Sequence, residues 1–463
     1  MSAQGLAAAR DKMRAAGVQE TAVKVFSHYY RQLESGATGI VAESDIKPLD
    51  DPPRLVDLVH DEEAGRGALD ATVMVKLNGG LGTSMGLAGA KTLLEARNGL
   101  SFLDIIARQV LHTRQALGVR LPLVFMNSFR THDDTLEALS EYRELPSADL
   151  PLDFLQNREP KLRVDDLTPV DWPTDPALEW CPPGHGDLYT ALAGSGLLQR
   201  LLDHGLQYAF VSNADNLCAT ADPRVAGWFA GSGAPFASEV CRRTPADRKG
   251  GHLAVRARDG QLVLRDSAQT APEDADAFAD VSRHRYFNTN NLWLDLRALA
   301  AELDERDGVL GLPLKRNEKT VDPADKTSPA VVQIETAMGA AVEVFTGAQA
   351  LEVERSRFLP VKSTNDLLAL RSDVYELAND SSIVLTAGRE EAPYVDLDPD
   401  FYKLVGDFDA RFPDGPPSLA EATSLRVHGD WTFAGDVVVR GDVTVDADGS
   451  PGRISRDLAP SEG

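Results

Sequence analysis

The feature that most constrains the fold is a glycine-dense segment that directly follows a run of β-forming residues. The sequence reads VKLNGGLGTSMGLAGAKT from Val75 to Thr92, with five glycines within eleven residues. The preceding residues, 72–77, are typical of a strand. Glycine in a loop permits left-handed backbone angles or the close approach of another group. Because the segment closes on Lys91, it predicts a loop on which a polyanion lies against the backbone.

The spacing of this loop differs from that of two familiar phosphate-binding loops. A Walker loop has glycine directly before its lysine and again six residues before it. Here Ala90 and Met85 occupy those two positions. A dinucleotide-binding fingerprint requires GxGxxG. Gly80 and Gly82 begin such a motif, but position 85 is methionine, so both interpretations fail on spacing.

Length and composition define a broad class. A chain of 463 residues is long enough for two or three domains, and 43% hydrophobic with 25% charged residues is ordinary for a soluble globular protein. The net charge of −24 argues against general binding of nucleic acid or anionic membranes. No apolar run approaches the roughly 18 residues of a membrane span. An anionic ligand must therefore be bound by a few local cations and amides.

The N-terminus and the cysteines favour a cytoplasmic protein. Charged residues at positions 10, 11, 12 and 14 interrupt the region where a signal peptide needs an apolar core. We interpret residues 1–45 as a helical lead-in, since apolar residues between Val23 and Tyr30 recur at helical spacing. Cys181, Cys218 and Cys241 lie far apart without a CxxC motif, which fits free thiols in a reducing compartment.

From about residue 70 the pattern alternates between strand and helix, which predicts α/β layers around a largely parallel sheet. Strand candidates after the first are LPLVFMNS, PLDFLQN and, at Tyr208–Asn213, YAFVSN. Two helices have capping-box starts, Ser101 with Asp104 and Ser363 with Asp366. A β-hairpin is predicted to turn at Asp259–Gly260.

The C-terminal region carries a different repeat. Val427, Phe433, Val439 and Val445 recur every six residues, and a Gly-Asp pair lies two places after each of the first three. Hexads of short strands with tight corners are typical of a parallel β-helix. The Arg440–Asp442 triplet also reads as an integrin motif, but a corner of the repeat is the simpler interpretation.

Seven ordered motifs resemble those of the eukaryotic-type UDP-glucose pyrophosphorylases (UTP:glucose-1-phosphate uridylyltransferases). They are LNGGLGTSMG closing on Lys91, MNSFRTHDDT, EWCPPGHGDLY, FVSNADNLCATAD, ADRKGGHL, FNTNNLW and RFLPVKSTNDLL, and they span roughly residues 70–380. The resemblance implies a central α/β domain of the nucleotide-diphospho-sugar transferase type (Rossmann-like, with a mixed sheet) at 46–380. It also implies a small parallel β-helix domain at 381–463, in agreement with the hexads.

The resemblance assigns the nucleotide end of a site. It implies that the segment 77–80, that is Leu77, Asn78, Gly79 and Gly80, contacts uridine through its backbone. Gln156 falls where the family reads the uracil edge, and an amide can donate and accept at once, as that edge requires. Gly184 and His185, in PPGHGD, are implied to contact uridine and the sugar phosphate.

The resemblance also assigns the phosphate and sugar ends. Lys91 and Lys362 match the family's two lysines at the reacting phosphates, and we expect them to be the catalytic cations. Asn213 and Asp215 follow a predicted strand, where ligands of open α/β sheets bind. A carboxylate there can hold Mg²⁺ against phosphate oxygens, so Asp215 is the expected metal ligand. Asn290 resembles a sugar-hydroxyl ligand.

The activity implied is synthesis of UDP-glucose and pyrophosphate from UTP and glucose 1-phosphate by Mg²⁺-assisted in-line attack. The alternatives are the same chemistry on galactose or N-acetylglucosamine 1-phosphate, and a non-catalytic nucleotide-sugar sensor. Homo-oligomerisation through the β-helix is a further expectation. The chain departs from the family at several positions: Ala88 and Ala90 replace a loop lysine and proline, Cys181 and Ala214 replace bulkier residues, and Asp266 stands where the family usually has glutamate.

Overall fold

The computed structural model describes residues 2–82, 85–87, 89–147, 149–244, 247–446 and 451–460. The expected effect of Ala88 and part of the glycine loop therefore lie outside the described residues. The α-helices in this part of the chain are α1 (Ser2–Ala15), α2 (Glu20–Glu34), α3 (Glu62–Asp70), α4 (Phe102–Leu117), α5 (His132–Leu139), α6 (Asp187–Gly194), α7 (Leu197–Asp203), α8 (Pro223–Ser232), α9 (Ala275–Ala279), α10 (Leu296–Glu305), α11 (Thr364–Arg371), α12 (Pro399–Tyr402) and α13 (Val405–Arg411).

The strands are short, apart from a few in the central sheet and at the C-terminus. They are β1 (Ile46–Pro48), β2 (Thr72–Asn78), β3 (Glu95–Arg97), β4 (Leu100–Ser101), β5 (Leu123–Asn127), β6 (Asp153–Leu155), β7 (Glu159–Pro160), β8 (Leu162–Arg163), β9 (Trp180–Cys181), β10 (Tyr208–Asn213), β11 (Phe236–Arg242), β12 (His252–Arg256), β13 (Leu262–Arg265), β14 (Tyr286–Asp295), β15 (Lys315–Thr320), β16 (Ala330–Glu335), β17 (Gln349–Glu352), β18 (Tyr375–Leu377), β19 (Ile383–Leu385), β20 (Tyr394–Leu397), β21 (Ser418–Val427), β22 (Trp431–Phe433), β23 (Val438–Val445) and β24 (Gly452–Ile454).

The central sheet is mixed, and the expectation of a largely parallel sheet holds for only part of it. Its order is β1-β12-β14-β10-β2-β5-β6, with β11, β13 and β17 joined beside this path. The four strands β10, β2, β5 and β6 run parallel. Strand β14 then lies antiparallel to both β10 and β11. The predicted hairpin is confirmed, since β12 and β13 pair antiparallel around the predicted turn.

The parallel strands are apolar on both faces because each face is covered. In β2, Met74 belongs to one buried cluster while Val73 and Val75 belong to another. This alternation follows from the two-residue period of a strand. Helix α4 covers the first face, and α6 and α7 cover the second. The α4 start is confirmed, since Ser101 and Asp104 form the predicted capping box.

The N-terminal helices form their own layer on a smaller sheet, whose strand order is β15-β16-β8. Phe26 and Tyr30 of α2 pack there with Val332 and Ile334 of β16. The apolar residues whose helical spacing predicted α2 therefore form the buried face of this helix. This layer matters for the site because the chain that follows β16 is hydrogen-bonded to the loop that carries His185.

Two small parallel sheets make up the C-terminal region, of order β20-β21-β23 and β22-β24. The hexad positions Val427 and Val445 lie side by side in register, so three hexads separate neighbouring strands. Val427, Phe433 and Val439 are fully buried. The β-helix itself stays a prediction. The buried cluster on one face of the central sheet continues without a break to Ile454.

None of the helices within the described ranges is long and apolar enough to cross a membrane. All three cysteines are free thiols, and Cys181 and Cys241 are buried. Burial raises the pKa of Cys241 to about 12, so the thiol stays protonated.

Candidate active site

The carboxyl ends of the three neighbouring parallel strands β10, β2 and β5 lie side by side at one edge of the central sheet. Asn213, at the end of β10, lies in register with Leu77 of β2, and Asn78 lies in register with Asn127 of β5. The Ala214 N–H donates to the Leu77 carbonyl at 3.0 Å. The glycine loop and the 213–219 loop therefore begin side by side, at the edge where ligands of open α/β sheets bind.

Gly79 and Gln156, both predicted at the nucleotide end, are in direct contact. A Cβ placed on Gly79 would lie 2.6 Å from Gln156 Oε1 and 2.9 Å from its Cδ. No side chain fits at position 79 unless the amide moves. The Gln156 N–H donates to the Asn127 carbonyl at 2.8 Å, which fixes the backbone beside β5. Gly80 is exposed beside this pair.

The side chain of Asn78 is fully engaged inside the protein. Its Nδ2 donates to Asn127 Oδ1 at 2.8 Å and to Thr135 Oγ1 at 3.0 Å, and its Oδ1 accepts from Thr92 Oγ1 at 2.8 Å. This amide ties the start of the glycine loop to β5 and α5. The Asn78 side chain is therefore not free to meet a ligand, whereas the backbone of segment 77–80 and the partly buried Leu77 side chain remain available.

Three elements predicted at the phosphate end are in contact: Lys91, Asp215 and the segment before Lys362. Lys91 Nζ donates to Asp215 Oδ2 at 2.9 Å and also to the Val361 carbonyl. The Val361 N–H in turn donates to the Asp215 carbonyl at 3.1 Å. The two side chains of this ion pair are 15% and 22% exposed, so the pair is partly shielded but open to a ligand.

Lys362 is exposed, and its backbone is firmly fixed at the start of α11. The N–H groups of Lys362 and Ser363 both donate to Asp366 Oδ2 at 2.8 Å, which is the predicted capping box. Within the described residues its ammonium makes no hydrogen bond or ion pair. Lys362 is therefore a free cation on a rigid backbone beside the Lys91–Asp215 pair.

His185 is neutral, and the position of its proton is set by its neighbours. The Met338 N–H donates to Nδ1 at 3.1 Å, so the ring proton is on Nε2. Burial, together with the smaller effect of the positive charges of Lys315 and Lys362, lowers the pKa of His185 to about 4. The ring can then donate from Nε2 to an anionic oxygen at neutral pH.

The loop that carries His185 needs its glycines. Gly184 has φ of +80°, and a Cβ there would lie 2.5 Å from the Thr336 carbonyl. That carbonyl accepts the Gly186 N–H at 2.9 Å, and the Thr336 N–H donates to the Pro183 carbonyl at 3.0 Å. The loop is thus bonded along its length to the chain that follows β16.

Asn290, which is predicted at the sugar end, has a left-handed φ of +61°. Its Oδ1 accepts from Asn288 Nδ2 at 2.9 Å, and the Asn288 N–H donates to the Gly251 carbonyl at 2.9 Å. A non-glycine residue in this conformation is uncommon, although asparagine tolerates it best. Asp266 packs against Gly251, where a Cβ would lie 2.0 Å from Asp266 Oδ1.

Two lysines of this region were missed by sequence reasoning. Lys76 is fully buried in β2, and its Nζ donates to Ser212 Oγ at 2.8 Å and to the Ala219 carbonyl at 2.7 Å, so it holds both ends of the 213–219 loop. Lys315 forms an ion pair with Asp266. Lys76 lies in the quoted strand and could have been flagged as a charge in an apolar run. Lys315 lies in LPLKRNEK, which reads as an ordinary exposed edge.

A magnesium ion fits one position in this arrangement. Asp215 Oδ1 is buried and has no hydrogen-bond partner among the described residues, while Oδ2 is bound by Lys91. An unpaired buried carboxylate oxygen is costly unless a cation or donor reaches it. The described residues contain no group of three or more His, Cys, Asp or Glu side chains that could hold a metal alone. Phosphate oxygens and water would therefore complete the ligand set.

A glycine-dense loop and lysines at the carboxyl edge of a mixed α/β sheet, together with one carboxylate, are suited to nucleotidyl transfer. Residues 23–440 match the family described as UTP--glucose-1-phosphate uridylyltransferase. The chain belongs to this family of nucleotidyltransferases.

Individual relatives agree with this assignment over most of the chain. The chain is 39% identical to the UTP--glucose-1-phosphate uridylyltransferase of Hordeum vulgare over 84% of its length and 80% of the relative's. It is 36% identical to the probable enzyme of that name in Schizosaccharomyces pombe, over 94% and 85% of the two chains.

Solved structures agree as well. A mutant UDP-glucose pyrophosphorylase of Leishmania major, in complex with UDP-glucose, superposes with a TM-score of 0.93 at 42% identity and covers 99% of this chain and 98% of its own. The UDP-glucose phosphorylase of Trypanosoma brucei gives a TM-score of 0.91 at 42% identity, with 98% of each chain covered.

Proposed function

We propose that this protein makes UDP-glucose and pyrophosphate reversibly from UTP and glucose 1-phosphate. The observation that carries the proposal is the partly shielded Lys91–Asp215 pair, bonded to the segment of Lys362 and next to the glycine loop. Family membership and the complex of a relative with UDP-glucose support the choice of nucleotide and sugar.

The reaction is an in-line displacement at the α-phosphorus of UTP. A phosphate oxygen of glucose 1-phosphate forms the new P–O bond, and the bond from the α-phosphorus to the oxygen bridging to the β-phosphorus breaks. Pyrophosphate leaves with that electron pair. The attacking oxygen is already ionised at neutral pH, so no general base is required, and catalysis consists of positioning and charge neutralisation.

Each group of residues has a distinct part in this reaction. The backbone of segment 77–80 and the Gln156 amide bind the uridine. Lys91 and Lys362 neutralise charge that shifts onto the α-phosphate and the leaving pyrophosphate, where preorganised cations are most effective. His185 donates from Nε2 to a phosphate oxygen, and Asn290 and Asn213 bind on the sugar and ribose sides.

Mg²⁺ belongs to the proposal as a cofactor. Asp215 would hold it through the oxygen that has no protein partner. When bound, the ion supplies charge neutralisation and a fixed geometry for the phosphate oxygens. Lys91 keeps the Asp215 carboxylate in place from the other oxygen.

The test is pyrophosphate release by the purified protein with UTP and Mg²⁺, across glucose, galactose and N-acetylglucosamine 1-phosphates. We expect release with glucose 1-phosphate, its loss with EDTA, and a drop of about 10²–10³ in Lys362→Met. Lys326→Met is the matched control, since Lys326 is an exposed lysine outside the site.

The remaining outcomes separate the alternatives. Release only with another sugar 1-phosphate would keep the chemistry and change the substrate. Silence with every sugar, together with tight binding of UDP-glucose, would replace the enzyme by a nucleotide-sugar sensor.

The finer structural and cellular features are part of the same proposal. We propose a nucleotide-diphospho-sugar transferase type domain at 46–380, a C-terminal parallel β-helix at 381–463 and a cytoplasmic location. The eighteen-residue register between Val427 and Val445 supports the β-helix. Assembly is tested by light scattering of the full chain, where a mass above 50.0 kDa supports it and a mass of 50.0 kDa contradicts it.

A further inference from the structure

Lys315 lies beside the predicted site although no sequence motif includes it. It begins β15 and lies directly opposite Glu335 of β16. The chain that follows Glu335 is the one that holds the His185 loop, through Thr336 and Met338. The pairing of two strands therefore brings the Lys315 side chain to this loop. That side chain is only 12% exposed.

The partner of Lys315 connects it to the sugar end. Its ammonium forms an ion pair with Asp266, whose carboxylate packs on the backbone of Gly251. The Gly251 carbonyl accepts the N–H of Asn288, and Asn288 Nδ2 binds Asn290. A continuous path of contacts thus links Lys315 to the residue expected on a sugar hydroxyl.

Lys315 also lies near His185, one of the residues predicted to contact the sugar phosphate. The positive charges of Lys315 and Lys362 both act on the His185 ring and lower its pKa. The charges of Lys315 and Lys362 thus both lie near the loop that carries His185. Burial lowers the pKa of Lys315 itself to about 8, partly offset by Glu335, so a further anion beside the ammonium would stabilise its charged form.

We propose that Lys315 binds the sugar 1-phosphate: its ammonium contacts the sugar's phosphate, and its bond to Asp266 holds that carboxylate in place for a sugar hydroxyl. The inference rests on the proposed function and adds a residue to it. Asp266 is one methylene shorter than the glutamate usual in the family, and the lysine supplies the second fixed point that positions this shorter carboxylate.

A purely structural ion pair is the competing explanation. A partly buried pair contributes little net stability, and the loss of one partner leaves an uncompensated charge. Under that explanation Lys315→Met lowers thermal stability and leaves substrate affinity unchanged. Under our proposal the same substitution weakens binding of one substrate only, because UTP is contacted elsewhere.

The experiment is initial-rate kinetics of Lys315→Met, Lys315→Arg and Asp266→Asn in the full chain with Mg²⁺. Lys315→Met is expected to raise the KM for glucose 1-phosphate about tenfold to hundredfold and to change the KM for UTP less than threefold. Lys315→Arg keeps the charge and restores part of the affinity. The control is Lys326→Met, at an exposed position.

A double substitution sharpens the result. If Lys315 positions Asp266, the combined variant Lys315→Met/Asp266→Asn has a smaller effect on the KM for glucose 1-phosphate than the product of the two single effects. A KM for glucose 1-phosphate within twofold of wild type in folded Lys315→Met overturns the proposal. If Lys315→Met does not fold, the same criterion is applied to Lys315→Gln, which removes the charge and keeps a polar end.

Failure of the proposed function is distinguishable from failure of this inference. If the wild-type protein turns over no sugar 1-phosphate, binding of UDP-glucose is measured by calorimetry instead. Weaker binding in Lys315→Met than in wild type supports a binding role. Equal binding in the two proteins overturns it.

Discussion

The nucleotide end and the phosphate end of the site are built by different means. At the nucleotide end, Gly79 and Gln156 meet at the ends of two neighbouring strands, and the groups offered to a ligand are backbone atoms and a neutral amide. At the phosphate end, Lys91, Asp215 and the segment of Lys362 come from three distant parts of the chain.

This difference teaches what each end depends on. The nucleotide end depends on shape. Glycine is required at position 79 because a Cβ there would lie within 3 Å of the Gln156 amide. The phosphate end depends on charge, because its ammonium groups and the Asp215 carboxylate must balance each other and the substrates. Substitutions at the two ends are therefore expected to differ in kind: changes in KM for UTP at the first, and changes in kcat at the second.

The largest expected effect is at the phosphate end. Lys91→Met is expected to lower kcat by about 10²–10³, because it removes a preorganised cation and leaves Asp215 without its bound ammonium. Steady-state kinetics with saturating UTP and glucose 1-phosphate measures this. The control is Lys326→Met, and the circular dichroism spectrum checks the fold. A kcat within fivefold of wild type would remove Lys91 from the catalytic group.

The second prediction concerns the neutral state of His185. Burial and the charges of Lys315 and Lys362 together lower its pKa to about 4 in the folded protein. In the unfolded chain the pKa of histidine is near 6.5. Between these pH values the unfolded state binds more protons than the folded state. The contribution of neutral His185 to the free energy of unfolding is therefore fully present above pH 6.5 and is lost as the pH falls toward 4. The loss amounts to about 3 kcal/mol.

The measurement compares wild type with His185→Gln by urea unfolding at pH 7 and pH 4.5. Other groups titrate in both proteins, so only the difference between them reports His185. Wild type is expected to lose more free energy of unfolding than the variant on acidification. Parallel losses in the two proteins would mean that His185 is protonated normally, and its role as a neutral donor would be withdrawn.

The parts of the fold that could be predicted from the sequence are those whose sequence pattern spans only a few neighbouring residues. The strand Tyr208–Asn213 and the two capping boxes were predicted to the residue because their patterns lie within a few positions of each other. The alternation of strand and helix predicted a largely parallel sheet and did not indicate its antiparallel strands. Its longest antiparallel member, β14, carries Asn288 and Asn290 in place of the apolar alternation that identifies a strand.

The same limit applies to the site. The glycine loop marks the nucleotide end because close backbone approach leaves a dense local composition. Lys315 leaves no such mark, since its importance arises from a strand pairing with Glu335 and an ion pair with Asp266, 49 residues away. Lysine in a short polar strand is ordinarily a solvated side chain, and only the structure brings it to the His185 loop.

The third prediction tests the shape-dependent end. Gly79→Ala is expected to raise the KM for UTP about tenfold with little change in kcat, because the new Cβ must displace the Gln156 amide from 2.6 Å. The control is Gly67→Ala in helix α3, where a Cβ would meet nothing within 4 Å and alanine favours the helix.

A second variant identifies the cause of that effect. In Gly79→Ala/Gln156→Ala the shortened side chain leaves room for the new methyl group, so the combined KM for UTP should equal that of Gln156→Ala alone. Independent, multiplying effects would show that Gly79 is needed for its backbone contacts with the nucleotide and not for the space it leaves to Gln156.

The smallest expected effect concerns the start of α11. It distinguishes the stability of this helix start from the position of the Lys362 ammonium. Asp366 accepts the N–H groups of Lys362 and Ser363, and Asp104 accepts the Ser101 N–H at 2.8 Å in the same kind of capping box, at the start of α4. Asp366→Ala should lower the free energy of unfolding by about 1 kcal/mol, and Asp104→Ala by more, because Asp104 also accepts the Tyr142 hydroxyl at 2.6 Å. Only Asp366→Ala should also lower kcat, by about threefold to tenfold, because it loosens the backbone of Lys362. Equal kcat values in the two variants would mean that the Lys362 ammonium reaches the phosphates without a fixed helix start. The charge-dependent end would then tolerate the small displacements that the shape-dependent end does not.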